Sequence, residues 1–437
     1  MPHVCLVAMT GFRVADPALR ELGLTLPGLQ ARGQAIAALP ALGLLTLASH
    51  TPGNWTQSFH EAPAASEALG DELAARKPAL VAISALTASI EEAWALCAML
   101  RARAIPTVLG GLHVTALPDE SLAHCDAVVI GDGETAWPLV LHDAAGAGLK
   151  QRYRAAQFAM ADARVPRWDL LPPSKRRRYT LQTARGCPLA CEFCAASRVL
   201  GSFREKPARC VRAELNALRG LDRAATLELA DDNTFAGERD PSELLQTLAD
   251  SGMHWFTECD WRIGTRPELC REMAAAGCVN VLLGIESVAT RYRGMGPKAA
   301  PLEAMFEAVR VIQDAGICVN ACFVAGADGE TPASLELLAD TIEACPASDV
   351  QLTLQTPFPG SALYARMQRE GRLRKDRTWK HHTLFDLTFQ PDQMTAAELE
   401  ARFPQLLARI YSATESQRRA QLRRTIWRHG RSFELSE

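Results

Sequence analysis

From the first residues, short apolar and β-branched runs alternate with stretches of helical period. Residues 3–9, 80–85, 106–109 and 127–130 read as strands and 55–61 as a weaker one; 39–50 and 90–103 read as helices. Near-continuously apolar strands suit a parallel sheet covered by helices on both faces. Two strands end in glycines, at Gly110 and Gly111 and at Gly131 and Gly133, where a ligand can come close to the backbone. Residues 1–145 are therefore expected to form a Rossmann-like domain of flavodoxin type.

The pattern breaks over 146–178, where Pro166, Pro172 and Pro173 lie among basic residues; this reads as a linker. A second series follows, with strands expected at 179–183, 226–229, 255–258, 279–283, 318–324 and 350–353 and helices at 213–218, 242–251 and 302–315. Six strand–helix units over 179–362 predict a partial (βα)6 barrel of TIM type, with functional residues at the C-terminal strand ends. Residues 363–437 read as a helical region, with Thr395 and Glu398 spaced as a capping box.

Composition adds bounds. The chain has 437 residues, 48% apolar and 22% charged, and a net charge of -3, which gives no reason to expect nucleic-acid binding. The basic stretches 175–178 and 418–428 read as solvated faces. No apolar run reaches the roughly 18–20 residues of a membrane span, and the N-terminus has no secretion signal, so a cytoplasmic protein is expected. Thirteen cysteines, an odd number without a secretion signal, point to metal ligands and buried thiols rather than disulfides.

The decisive segment is Arg185-Gly186-Cys187-Pro188-Leu189-Ala190-Cys191-Glu192-Phe193-Cys194. Thiolates suit iron–sulfur clusters, and three together can hold three irons of a cubane and leave the fourth open. A zinc site completed by Cys210 competes with this, as do three unrelated buried cysteines. Only one C-x2-C pair is present, however, and the cysteines crowd into one loop beside Gly186 and Pro188.

C-x3-C-x-aromatic-C, with Phe193 as the aromatic residue, resembles the defining motif of radical S-adenosylmethionine enzymes. The resemblance implies a [4Fe–4S] cluster whose open iron is chelated by S-adenosylmethionine and an external electron donor of flavodoxin or ferredoxin type. It also implies cosubstrate contacts from Asp231, Asp232 and Asn233 after the second barrel strand and from Glu286 and Ser287 after the fourth. The adenine side would be met by 324–331, and 351–356 would finish the barrel wall. Glu258, Asp260 and Arg262 alternate along the third strand, either as an ion-pair network or as contacts to cosubstrate or substrate.

The N-terminal domain resembles the cobalamin-binding domain that precedes many such barrels, through 39–45, 81–85, 108–113 and 128–134. The string D-x-H-x-x-G is missing, so His113 reads as a surface histidine and cobalamin would bind without a histidine ligand. The implied reaction is methylation of an unactivated carbon or phosphinate phosphorus of a small molecule in a biosynthetic pathway. One S-adenosylmethionine would give its methyl to cobalt and a second would give the 5′-deoxyadenosyl radical. Without cobalamin, a 3-amino-3-carboxypropyl group could go to a thiophilic acceptor such as trivalent arsenic, met by Cys259, Cys278, Cys318 or Cys322; the plainer role of these thiols is core packing. A non-catalytic iron–sulfur redox protein would normally use a fourth cysteine. Residues 379–385, with His381 and His382, read as a lid at the barrel mouth with histidines on its surface.

Overall fold

The computed structural model describes residues 1–10, 14–26, 39–171, 178–287 and 300–434. Pro172 and Pro173 of the expected linker and Lys175, Arg176 and Arg177 of its basic face lie outside them.

Strands β1 (His3–Met9), β2 (Thr56–Ala62), β3 (Leu80–Ala85), β4 (Thr107–Gly110), β5 (Ala127–Ile130) and β6 (Arg152–Arg154) form one sheet in the order β2-β1-β3-β4-β5-β6. Every pairing is parallel, and the order is the flavodoxin one. Alternate residues of β1 feed two cores. Val4, Leu6 and Ala8 join Leu44, Leu45, Trp137 and Val140. Cys5, Val7 and Met9 join Leu73, Ile90, Leu96 and Cys97. The first of these cores runs on into the second sheet.

β6 lies in the stretch the sequence reads as linker. It is only Arg-Tyr-Arg, with Tyr153 alone buried; the Tyr153 hydroxyl donates to Asp143 at 2.9 Å. So short and polar a strand carries no periodicity to detect.

The second sheet contains β7 (Arg178–Leu181), β10 (Thr226–Leu229), β11 (Trp255–Asp260), β12 (Cys278–Glu286), β13 (Cys318–Ala325) and β14 (Asp349–Leu354), in the order β14-β13-β12-β11-β10-β7. All its pairings are parallel, which gives the expected six-stranded partial barrel. The returning helices begin and end as their sequences dictate. Gly252, with φ +65°, closes Ser242–Ser251, while Thr331 and Ser334 cap Pro332–Ala344 with proline in its first turn. Between β7 and β10, a two-residue hairpin, β8 (Ala184–Arg185) and β9 (Arg204–Glu205), brackets the cysteine segment.

The Thr395–Glu398 capping box forms and starts the helix Ala396–Ile410. The last helix, Ala413–Glu434, is not simply a solvated face. Arg419 is 3% exposed and donates to the Ile342 and Ala347 carbonyls, both at 2.8 Å, closing the C-terminal end of Pro332–Ala344. Among the described residues, no helix is long and apolar enough to cross a membrane.

Candidate active site

Cys187, Cys191 and Cys194 lie in the loop inside the β8–β9 hairpin, Cys191 buried and the others half-buried. The strand ends around it hold it in place. Asp231, after β10, accepts from the Thr183 and Ala184 amides at 2.7 and 2.9 Å and from the hydroxyls of Thr183 and Thr234. It is wholly buried, which pushes its carboxyl above the usual range against those hydrogen bonds. These donors occupy both carboxylate oxygens, and Asp231 thereby anchors the strand that leads to the cysteines. Asp232 accepts from the Gly186 amide at 3.1 Å. Gly186 has φ +78°, and a Cβ there would come within 3.3 Å of the Gly201 carbonyl, so this turn requires glycine.

Asn233 approaches the thiols. Its Nδ2 lies 3.9 Å from Cys187 Sγ, and its Oδ1 accepts from the Asp260 amide at 3.2 Å. Asp260 holds Arg262 through Nε at 2.8 Å and Nη2 at 3.1 Å. The Arg262 guanidinium is kept more basic than usual by Asp260 first, with contributions from Cys187 and Cys191. Arg262 does not continue the alternation but lies past the end of β11, in the short turn Trp261–Thr265; with Asp260 it supplies an ion pair beside the cysteine loop, while Glu258 is half-buried on β11. The donor set, three thiolates with an amide and a guanidinium close by, fits an iron–sulfur cluster, whose sulfurs gain from nearby donors.

Cys210 lies in the helix Ala208–Leu221, its thiol 3.7 Å from the Ala161 carbonyl, and does not complete the loop's set. Among the described residues, no three His, Cys, Asp or Glu side chains converge tightly enough for a single ion. Tetrahedral zinc thiolates need sulfurs roughly 3.8 Å apart, whereas a cubane takes its thiolates at separate corners. Cys259, Cys278 and Cys318 are buried, and burial pushes each thiol's pKa up; they pack the core.

A cleft opens at the ends of β12, β13 and β14. Phe193 of the cysteine loop lines it, with Glu286, Ser287, Gln355, Phe358 and Leu384. Glu286 and Leu384 have φ +68° and +72°, and strain of this kind gathers at functional sites. Ser287 donates to Glu330 Oε1 at 2.7 Å, and the Gly326 amide to Glu330 Oε2 at 2.7 Å. Burial raises the Glu330 carboxyl to about 7. The sequence reading included Glu330 in an adenine-side stretch but gave it no role of its own; the acid four residues after Gly326 was the available signal.

At the C-terminal edge of the first sheet, Gly111 and Gly131 have φ +111° and +96°. A Cβ at Gly110 would meet only Val129, at 3.9 Å. Leu86, after β3, is 67% exposed and Leu112 is 36% exposed. A Cβ at Gly111 would come within 3.2 Å of Ser84 Oγ, so the open space lies at Gly110, and apolar side chains left exposed beside it fit a large ligand with apolar edges. Gly131 and Gly133 flank Asp132, whose turn faces Arg185 and Arg204 of the β8–β9 hairpin.

His113 is not on the surface. It is 1% exposed, edge-on to Trp379 at 4.9 Å and to Trp94 at 6.1 Å, and burial lowers its pKa to about 4. His382 is likewise buried, with its pKa lowered to about 4, and lies 4.8 Å from Trp379. The 379–385 stretch is a bridge rather than a solvent-facing lid. The Trp379 amide donates to Glu91 and its indole to Glu120, both at 2.8 Å, while Leu384 lines the barrel cleft.

Comparison with known proteins matches three family models in succession: a B12 binding domain over residues 35–141, the radical SAM superfamily over 181–342, and a domain of unknown function over 361–432. Bacteriochlorophyllide d C-12(1)-methyltransferase of Chlorobaculum tepidum is 24% identical over 362 residues, 80% of this chain and 78% of that protein. Two solved structures share the fold. The cobalamin-dependent S-adenosylmethionine radical enzyme OxsB, with aqua-cobalamin and S-adenosylmethionine bound, superposes with a TM-score of 0.69 at 13% identity, over 97% of this chain and 72% of that one. The radical S-adenosylmethionine methyltransferase TsrM from Kitasatospora setae, with cobalamin and a [4Fe-4S] cluster bound, gives 0.66 at 16% identity, over 94% and 89%.

Proposed function

We propose that this chain, whose residues 35–141 match the B12 binding domain and 181–342 the radical SAM superfamily, is a cobalamin-dependent methyltransferase acting on a small molecule, at an unactivated carbon or a phosphinate phosphorus. The observation that carries this reading is the three-cysteine loop, whose own Phe193 forms one wall of the barrel cleft. When bound, the cluster would supply the electron that cleaves S-adenosylmethionine, and cobalamin would carry the methyl group.

The chain's own residues then divide the work. Cys187, Cys191 and Cys194 hold the irons. Asn233 and Arg262 stabilise negative charge on the cluster side. Glu286 and Ser287 bind the cosubstrate's polar groups, and Glu330 keeps Ser287 and the Gly326 turn in place. Asp232 serves indirectly, through Gly186. Phe193, Val324, Leu354, Phe358 and Leu384 give the cleft an apolar lining that excludes water from a reactive radical. Gly110 and Gly111, with Leu86 and Leu112, receive cobalamin, and Gly131 and Gly133 shape the neighbouring turn. Buried His113 supplies no cobalt ligand. Electrons come from an external flavodoxin- or ferredoxin-type donor. Transfer of a 3-amino-3-carboxypropyl group to a thiophilic acceptor has less support, because Cys259, Cys278 and Cys318 are core residues and of the four thiols Cys322 alone is half-buried.

The test is anaerobic reconstitution with iron, sulfide and hydroxocobalamin, followed by desalting and metal analysis. The proposal expects about four irons and stoichiometric cobalt per chain. A protein that holds iron and loses all its cobalt would contradict the cobalamin part.

A further inference from the structure

The cysteine loop is tied to the N-terminal domain two residues before Cys187. Arg185 donates through Nη2 to Glu134 at 2.7 Å and through Nη1 to Asp132 at 3.1 Å. Arg204, its partner across the β8–β9 hairpin, donates through Nη1 to the other Asp132 oxygen at 2.6 Å and to the Phe158 carbonyl at 3.1 Å. Asp132 also accepts from the Phe158 amide at 2.7 Å. Burial works against its ionised form, yet the Phe158 amide and the two arginines hold its carboxyl below the usual range. The four side chains are 8–14% exposed.

Two cations and two carboxylates therefore form a balanced, nearly dry set. Charge-assisted bonds of this kind are strong and directional, and loss of one member strands a buried charge. Asp132 stands between Gly131 and Gly133 at the C-terminal end of β5, and Arg185 lies in the segment that carries the cysteines. One side of each pairing thus belongs to each domain.

We infer that Arg185 is a positioning residue: its pairing with Asp132 and Glu134 fixes the cysteine loop against the N-terminal domain, so the order of that loop depends on carboxylates in the other domain. The functional consequence, coupling between the two cofactor sites, rests on the reading proposed above. The positioning itself does not require a bound metal.

The test reads the barrel after a change in the other domain. Amide hydrogen exchange is followed in the metal-free full-length chain and in Glu134→Gln, which keeps the side chain's shape and removes its charge. Exchange across residues 184–194 is expected to accelerate about tenfold or more, with β1 and β13 unchanged. Arg185→Lys, which keeps the charge but loses the fork, should fall between the two. Unchanged exchange over 184–194 in both variants would overturn the inference. So would acceleration spread evenly over both sheets, which would make the pairing a device of general stability. A parent chain that takes up no iron would sink the radical reading and leave this result standing.

Discussion

Glu330 shows how much one buried carboxyl can organise. It joins the end of β12, through Ser287, to the turn after β13, through Gly326. Its pKa is about 7 when folded and near the ordinary value of about 4.3 when unfolded. Between those values the folded chain holds the extra proton, so stability falls as pH rises through that window. The cost is on the order of 3 kcal/mol at most. Glu330→Gln should flatten the decline in melting temperature between pH 5 and pH 7.5, and a slope equal to the parent's would remove Glu330 as its source. Individual residues were unevenly legible in the sequence. Cys187, Cys191 and Cys194 stand out because metal chemistry restricts their spacing. The donors that Asp231 accepts from, Thr183 and Ala184, are known only once the strands are folded.

Elements were more legible than residues. β1, β3 and β5 are buried almost throughout and leave apolar runs, while barrel strands such as β10 and β11 alternate buried with half-buried residues; both kinds fall where hydrophobic pattern puts them. β6, β8 and β9 have two or three residues each and leave no such trace, although β8 and β9 frame the cysteine loop. The helix Ala362–Arg369 holds the same loop from another side. Its Arg366 pairs with Glu192, between Cys191 and Phe193, at 2.6 Å and with Asp328 at 2.7 Å. Arg366→Ala should loosen the loop's centre and lower iron retention several-fold after desalting while the chain stays folded by circular dichroism. Full iron retention would show that Glu192 needs no such anchor.

At the scale of the whole molecule, the domains meet through the Arg185 pairings and through Trp379, which spans from Glu91 and Glu120 to His113 and His382. Sequence alone could not reveal this meeting, since the contacts from Trp379 to Glu91, Glu120 and His113 join positions far apart in the chain; for that reason His113 read as a surface residue. Both histidines have their pKa lowered by burial to about 4, against about 6.5 unfolded. The unfolded chain therefore binds more protons between those values, and stability is lost as pH falls from 6.5 toward 4. His382→Phe should make the protein less sensitive to acid over that range in urea titrations. An unchanged pH dependence would mean that this contact opens before the chain unfolds.

The central claim is that Cys187, Cys191 and Cys194 build a cluster that cleaves S-adenosylmethionine for methyl transfer. The direct measurement gives S-adenosylmethionine to the anaerobically reconstituted, reduced, cobalamin-loaded protein and identifies its products by mass, with Cys191→Ala alongside. The account predicts S-adenosylhomocysteine and 5′-deoxyadenosine from the parent and neither from the variant. Methylthioadenosine as the parent's product, or full turnover by Cys191→Ala, would contradict it.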